Sequence, residues 1–386
     1  MPSRPRLCVV TTSPIVVRYF LIPHLRLLAD TFDVTLVANG DCRSFLADLK
    51  LPPRMEVTPI ERQIHPWHDP AALAMLYRLF RKERFDAVFS VAPKAGLLAM
   101  TAAAAAKVPY RCHVFQGEVW ASRKGAMRRL LRAADGVTAR AASESIVVSP
   151  AEREFLIGEG ILRADRSLVL GAGSICGVDT KKFAPNPEAR ARIRASAGIP
   201  QDARLLLFLG RLKRDKGVID LVAAWKALAG EFPDLCLAVV GPDEDGLIPV
   251  IRALAGRDLA ARLNIAPESK EPEAWIAAAD ILGLPSYREG FGNVIIEAGA
   301  TEVPVVASRI YGTESALIEN VTGLAHPPGD REALQSCLRR LVEDGGLRQR
   351  LGKAGRALVV EKFEQEQVVR RYVDHIAMRC KVVAAP

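Results

Sequence analysis

The chain of 386 residues has no apolar run long enough to span a bilayer. Its longest weakly polar stretch, Gly96–Ala106, is mostly alanine and ends at Lys107, well short of the roughly 20 residues a transmembrane helix needs. That stretch reads as a buried helix. The start, Met1-Pro2-Ser3-Arg4-Pro5-Arg6, passes directly into the short apolar run Leu7–Val10, so no secretory leader is read and export is not expected. Cysteine is sparse: Cys8, Cys42, Cys112, Cys176, Cys236, Cys337 and Cys380 stand far apart, with no spacing that suggests zinc, redox chemistry or a disulfide framework. A reducing cytoplasm fits that usage. No strand-like run leads into a full Gly-x-Gly-x-x-Gly turn, which argues against a nicotinamide dehydrogenase.

What the chain does have is an ordinary globular composition, 49% apolar and 25% charged, with 28 Gly and 25 Pro scattered along it. The length suits two domains. The net charge of +9 lies entirely in the first half: residues 1–190 hold 27 Lys and Arg against 18 Asp and Glu, whereas residues 191–386 hold 26 of each. That asymmetry points to an anionic partner of the first half.

Short β-branched runs alternate with longer helical patterns, the signature of parallel sheets covered by helices. In the first half the expected strands are 7–11, 34–38, 87–91, 111–115, 145–148 and 168–170, with helices around 18–28, 71–84, 95–107 and 124–134. The second half repeats the plan, with strands at 205–210, 235–241, 263–265, 281–284 and 305–307. Between them Gly171-Ala172-Gly173-Ser174 and Phe183-Ala184-Pro185-Asn186-Pro187 form the linker candidate. The expected division is residues 1–185 and 186–364, with a last helix, within 365–386, packing back on the first domain. The expected fold is α/β: two Rossmann-like, doubly wound domains facing a central cleft, where open sheets bind ligands at the carboxyl ends of their strands.

Two segments carry the chemistry. After the strand ending at Leu209 comes Gly210-Arg211-Leu212-Lys213-Arg214-Asp215-Lys216-Gly217, then a helix opening at Val218. Cations between a strand end and a helix N-terminus are placed to meet a diphosphate, and Arg211 and Lys216 are the candidates; a solvated basic loop would fit Lys213 and Arg214 equally well. The second segment, Pro285-Ser286-Tyr287-Arg288-Glu289-Gly290-Phe291-Gly292-Asn293-Val294-Ile295-Ile296-Glu297, runs into a helix. Gly290 and Gly292 let backbone amides approach a phosphate, and Glu297, two turns inside, is placed to reach ribose hydroxyls. The plainer alternative makes Glu289 a first-turn acid and Glu297 a surface residue. The acidic triplet Asp243-Glu244-Asp245 has the acid-x-acid spacing that binds divalent metals on phosphates in some enzymes, but in a turn such acids are usually solvated; no metal is expected.

The segment Glu289–Glu297, with Pro285-Ser286 before it and Val303-Pro304-Val305-Val306-Ala307-Ser308 and Thr322-Gly323-Leu324 after it, resembles the retaining nucleotide-sugar glycosyltransferases of family 4, which have the GT-B fold. Ala92-Pro93-Lys94-Ala95-Gly96, the run His113–Trp120 and the run Gly171–Asp179 resemble the branch that builds capsule and O-antigen polysaccharide. The resemblance implies that Arg211 and Lys216 hold the donor diphosphate, that Glu297 meets the ribose and that Glu289 touches the donor sugar. It adds Gly210, Gly290, Phe291, Gly292 and Asn293 to the donor side. His113 is implied near the reacting centre, with Lys94, Gln116, Gly117 and Glu118 on the acceptor side. It further implies a UDP-sugar donor, an N-acetylated hexosamine as the sugar, and a polyprenyl-diphosphate-linked acceptor. In the mechanism the resemblance implies, the departing diphosphate takes the acceptor's proton, so fixed cations aimed at that diphosphate are the main catalytic contribution. Two departures stand out: Thr12-Ser13-Pro14-Ile15 replaces the glycine-rich loop of many relatives, and Gln116 stands where many have histidine.

Residues 121–132 interleave Arg123, Lys124, Arg128, Arg129 and Arg132 with Met127, Leu130 and Leu131. This reads as a basic amphipathic helix suited to an anionic membrane surface, or as an ordinary solvated helix face. Nucleic acid is disfavoured, since no aromatics are interleaved to stack on bases. The expected location is peripheral, on the inner face of the cell membrane. Two rival functions remain: a nucleotide-sugar 2-epimerase of the same architecture, and a catalytically silent membrane-bound partner in polysaccharide assembly.

Overall fold

The computed structural model describes residues 4–381 apart from Asp48, Leu51 and Arg62. The chain folds as two units, one comprising residues up to Gly177 together with those from Gln365 onward, the other Val178–Glu364.

In the first unit seven strands make one parallel sheet: β1 Arg6–Val10, β2 Asp33–Ala38, β3 Arg54–Val57, β4 Ala87–Val91, β5 Tyr110–Phe115, β6 Glu144–Val147 and β7 Ser167–Leu168. Their order is β3-β2-β1-β4-β5-β6-β7. The second unit has six parallel strands: β8 Arg204–Leu209, β9 Leu235–Val240, β10 Leu263–Ala266, β11 Ile281–Leu284, β12 Val305–Ser308 and β13 Gly323–His326, ordered β10-β9-β8-β11-β12-β13. Strands such as β4 and β9 are buried along their whole length, because helices cover both faces; the unbroken apolar run of β9, and that of β4 apart from Ser90, follow from that. Strand order reverses between β1 and β4 and again between β8 and β11, so each unit is doubly wound and has its own switch point.

Two strands escape the sequence pattern, β3 and β13, both at sheet edges. β3 carries Arg54 and Glu56 and is only partly covered, so it has no apolar run to reveal it. β13 opens on Gly323, where a Cβ would lie 2.6 Å from the Val305 carbonyl oxygen.

The helix expected around 18–28 is interrupted. Val17–Leu21 takes a π-helical turn, with the Ile22 amide bonding to the Val17 carbonyl, before an α-helix resumes over Ile22–Thr31. Pro23 is the physical reason: it has no N–H for the carbonyl four residues back, and its ring excludes the regular register. Among the described residues four helices are capped by side chains, with Ser149, Asn186, Asp330 and Asp344 each accepting an amide of the first turn.

The expected linker is not loose. Gly171–Gly177 belongs to the first unit, where the Ser174 amide bonds to the Val148 carbonyl, and the Val178 amide already bonds within the second unit to the Phe363 carbonyl. The last helix, Gln365–Arg379, lies on the helix Ile22–Thr31 of the first unit and buries Val368, Val369, Tyr372 and Ile376. The Tyr372 hydroxyl donates to the Ser174 carbonyl at 3.0 Å, and His24 meets the Tyr372 ring edge-on at 5.2 Å. Glu144 receives both His375 (2.5 Å) and Arg379 (3.6 Å) from the same helix. The stretch beyond Lys381 lies outside the described residues.

Candidate donor and acceptor sites

The two segments singled out by sequence leave β8 and β11, the strands flanking the switch point of the second unit. After β8 the chain makes a 3-10 turn at Arg214–Lys216 and enters the helix Val218–Ala229 through Gly217, at φ 68°. Only glycine fits there: a Cβ would stand 2.0 Å from the Pro285 carbonyl oxygen. Gly312 meets the other side of the same loop, where a Cβ would fall 2.1 Å from the Glu289 carbonyl oxygen. The two loops are therefore in backbone contact. They are further joined by the Tyr287 amide on the Asp215 carbonyl (2.9 Å) and by Arg288 on the Asp215 carboxylate (3.2 Å).

Side chains converge across that seam. Lys216 Nζ lies 2.7 Å from Glu289 Oε1, and the same oxygen accepts the Ser286 hydroxyl at 2.8 Å. Lys216 and Glu289 are each only 14% exposed, so the pair is fixed in a poorly hydrated place. Arg211 is held by Glu244 at 3.2 Å, and Lys213 approaches Glu244 at 3.6 Å and Asp245 at 3.5 Å. The acidic triplet is thus engaged by protein: Asp243 accepts the Leu247 and Ile248 amides, Asp245 accepts the Arg214 amide, and Glu244 faces the cations.

Gly292, at φ 64°, delivers the chain into the helix Asn293–Ala300. Asn293 Oδ1 at its first turn is buried with no hydrogen-bond partner. Phe291 instead turns inward onto Phe363, with ring centroids 5.3 Å apart, so only its backbone is available. Glu297 is partly covered, and its surroundings push its carboxyl up to about 7: burial dominates, Lys182 pulls it down and Glu273 pushes it up. It is not the freely solvated acid of the plainer alternative. Ser286, Asp215 and Tyr287 were not singled out by sequence. Their role is visible only once β8 and β11 are neighbours, although Pro285-Ser286 at the strand end was the available signal.

In the first unit the structure corrects the expectation for His113. Its ring is buried on β5, bonded through Nδ1 to the Ser90 hydroxyl at 2.8 Å and pressed against Gly96, where a Cβ would lie 2.3 Å from the ring. Burial lowers its pKa to about 3, so it is neutral and enclosed rather than presented to a substrate. Lys94 is paired with Asp69 at 2.5 Å and bonded to the Gln63 carbonyl. Gly117 donates its amide to Glu152, which is fully buried beside the buried Glu118; burial and then the Glu118 charge raise the Glu152 carboxyl well above its ordinary range. Trp120 Nε1 donates to Asp135 at 2.6 Å, and burial pushes that carboxyl up to about 7. Gln116 remains partly exposed beside this loop. Thr11 Oγ1, just beyond β1 at the switch point, is buried without a partner.

The basic stretch is also corrected. Its helix spans Gly125–Ala141, leaving Arg123 and Lys124 before it, and Arg128 and Arg132 are drawn back onto Glu159 at 2.9 and 3.1 Å. Arg128 also covers the Trp120 ring at 5.2 Å. Arg123, Lys124 and Arg129 stay exposed, with Met127 and Leu130 45% and 55% exposed among them. Among the described residues no helix is long and apolar enough to cross a membrane.

With the two doubly wound units and the cation-lined strand ends of the second in place, comparison with known proteins gives their class. Residues 24–173 match the glycosyl transferase 4-like domain, and residues 189–358 match glycosyl transferases group 1. The chain belongs to the GT-B glycosyltransferases of the family 4 type. The capsular polysaccharide biosynthesis glycosyltransferase CapM of Staphylococcus aureus is 28% identical over 318 residues, 80% of this chain and 81% of that protein. A D-inositol 3-phosphate glycosyltransferase of Streptomyces avermitilis is 37% identical over 191 residues, 46% of this chain and 40% of its own length, so that match spans less than half of the relative. Anabaena HepE, crystallised in complex with UDP and glucose, superposes with a TM-score of 0.82 at 19% identity, covering 97% of this chain and all of that one, and establishes the shared fold.

Proposed function

We propose that this glycosyltransferase moves a sugar, an N-acetylated hexosamine, with retention of configuration from a UDP-sugar to a polyprenyl-diphosphate-linked saccharide in the assembly of capsule, O-antigen or a related surface polysaccharide. In this reading Val178–Glu364 binds the donor. The first unit receives the acceptor and rests peripherally on the inner face of the cell membrane. The observation that carries it is the seam of the second unit, where Lys216, Glu289 and Ser286 meet at the switch point. The HepE complexes with UDP and UDP-glucose support the choice of donor, and CapM supports the polysaccharide pathway.

The residues divide the work as follows. Lys216 and Arg211 face the diphosphate, their present carboxylate partners holding them where negative charge will gather. Amides at the start of the helix Asn293–Ala300 add the positive end of its dipole. Glu297 accepts ribose hydroxyls and Glu289 a hydroxyl of the donor sugar. As the glycosidic bond lengthens, charge grows on the leaving diphosphate, and groups already in position stabilise it without reorganising. That diphosphate then accepts the proton of the incoming acceptor hydroxyl on the same face of the sugar. The cations supply the neutralisation a metal would otherwise give.

The test is nucleotide release from a panel of nucleotide sugars, with and without lipid-linked acceptor, in the presence of EDTA. Acceptor-dependent UDP release that survives EDTA is expected. Sugar isomerisation without acceptor, or no UDP binding by calorimetry, would overturn the reading in favour of an epimerase or a silent partner respectively.

A further inference from the structure

A second cluster of chemistry-bearing side chains lies in the first unit, away from the donor loops. Glu61, His65 and His68 bring one ligand atom each within 4.8 Å of one another. The geometry follows from the chain. The Asp69 amide bonds to the His65 carbonyl at 3.0 Å, so a helical turn has begun by His65, and two residues three apart on such a turn share a face. The two imidazoles accordingly lie one over the other, with centroids 3.8 Å apart and planes 14° from parallel. Glu61 reaches across from the preceding strap to place Oε1 2.6 Å from His68 Nδ1.

We propose that Glu61, His65 and His68 form a binding site for a borderline divalent transition ion, Zn²⁺ or Ni²⁺, distinct from the donor site. Two imidazoles and a carboxylate are the ligand set of three-residue zinc sites, which keep a further position for water. His65 Nδ1 accepts the His68 amide at 3.2 Å, so its in-plane lone pair points at that amide, and binding an ion there exchanges the amide for the ion as the ring turns out of the stack. Binding at His68 Nδ1 takes the neutral tautomer protonated at Nε2, which leaves Nδ1 and the Glu61 carboxylate both free to ligate. Zn–N bonds of roughly 2.0–2.1 Å require the ligand atoms to close in from their present spacing, within reach of side-chain rotation because His68 is exposed and Glu61 and His65 are only partly covered. Imidazole ligands favour zinc, nickel and copper over magnesium and calcium, which prefer all-oxygen shells.

Occupancy has a structural consequence. The His65 amide donates to Asp69 Oδ2 at 3.1 Å, and Asp69 Oδ1 pairs with Lys94 at 2.5 Å. Lys94 opens the helix Pro93–Ala105 after β4. The ion therefore clasps the strap that holds Lys94, on the side of the first unit assigned to the acceptor.

The chain carries its own reporter. Trp67, between the two histidines, is 80% exposed, whereas the other three tryptophans, Trp120, Trp225 and Trp275, are at most 8% exposed. Titrating the tag-free full chain with NiCl₂ is expected to quench Trp67 emission with one equivalent bound, and ZnCl₂ is expected to reverse the quench while MgCl₂ does not. Equilibrium dialysis should give one Zn²⁺ per chain, weakened at least about tenfold by His65→Ala, His68→Gln or Glu61→Gln. Trp67→Phe should lose the optical signal and keep the stoichiometry, and His375→Ala, at the other histidine–carboxylate pair, should bind as wild type. No uptake at micromolar Zn²⁺, or uptake unchanged in the His65→Ala and His68→Gln variants with unaltered thermal melts, overturns the assignment.

Discussion

Replacing Lys216 by methionine separates the two contributions the donor seam makes. The side chain is 14% exposed and its partner Glu289 equally so, which leaves a carboxylate almost without water when the ammonium is removed. Breaking a fully buried pair costs about 3–5 kcal/mol. Here the Ser286 hydroxyl still donates to Glu289 at 2.8 Å, and with some water access the loss falls to about 2–3 kcal/mol. For a unit of this size that lowers the melting temperature by about 4–12 °C. Lys216→Met/Glu289→Gln should recover most of that, because a neutral amide keeps an acceptor for Ser286 and leaves no buried charge. Turnover should not recover. A preorganised cation facing the leaving diphosphate contributes about 2–4 kcal/mol to the transition state, a fall in kcat of about 30- to 1,000-fold. Scanning calorimetry of the four proteins of the cycle, with nucleotide release measured alongside, tests both parts. A double variant less stable than Lys216→Met, or one with wild-type turnover, would refute the reasoning.

Three further outcomes are expected. Gly217→Ala must relieve both a left-handed backbone and a 2.0 Å approach to the Pro285 carbonyl, so it should destabilise by more than about 1 kcal/mol and loosen nucleotide binding, read by urea melts and calorimetry. Between the ordinary value of 4.5 and about 7, Glu297 holds a proton in the folded chain that the unfolded chain has released. Stability therefore falls as pH rises through that window, and Glu297→Gln should flatten the slope by about 1–3 kcal/mol, with Asp135 contributing a remaining slope of the same sign. Arg129→Glu should weaken flotation with anionic liposomes at low salt without altering the melt, whereas Arg132→Glu should lower the melt, because Arg132 is engaged with Glu159; equal effects from the two would remove the distinction.

Much of this architecture is legible in the chain because burial on both faces of a parallel sheet leaves continuous apolar runs, as in β9 and, apart from Ser90, β4. The helix Gln365–Arg379 lies on the helix Ile22–Thr31, a partner that its own periodicity alone does not specify. β3 is not legible, since an edge strand bearing Arg54 and Glu56 has no such run. The site divides the same way. Loops at strand ends with glycine and cations declare themselves locally, which is why Arg211, Lys216, Glu289 and Glu297 could be singled out as candidates. Pairings made by tertiary packing do not: Lys216 with Glu289, and Arg128 and Arg132 with Glu159, depend on which strands and helices become neighbours. His113 misled for a related reason, because a strand-end histidine gives no sign of whether its ring points toward a ligand or, as here, onto Ser90 and Gly96.

The return of the final helix bears on how the protein is made. Val368, Val369, Tyr372 and Ile376 together bring about 6–12 kcal/mol of apolar burial to the amino-terminal unit, as much as an entire domain's net stability. A nascent chain emerging from the ribosome can complete the Val178–Glu364 body while its earlier half still waits for those four side chains, so the half synthesised first is the half finished last.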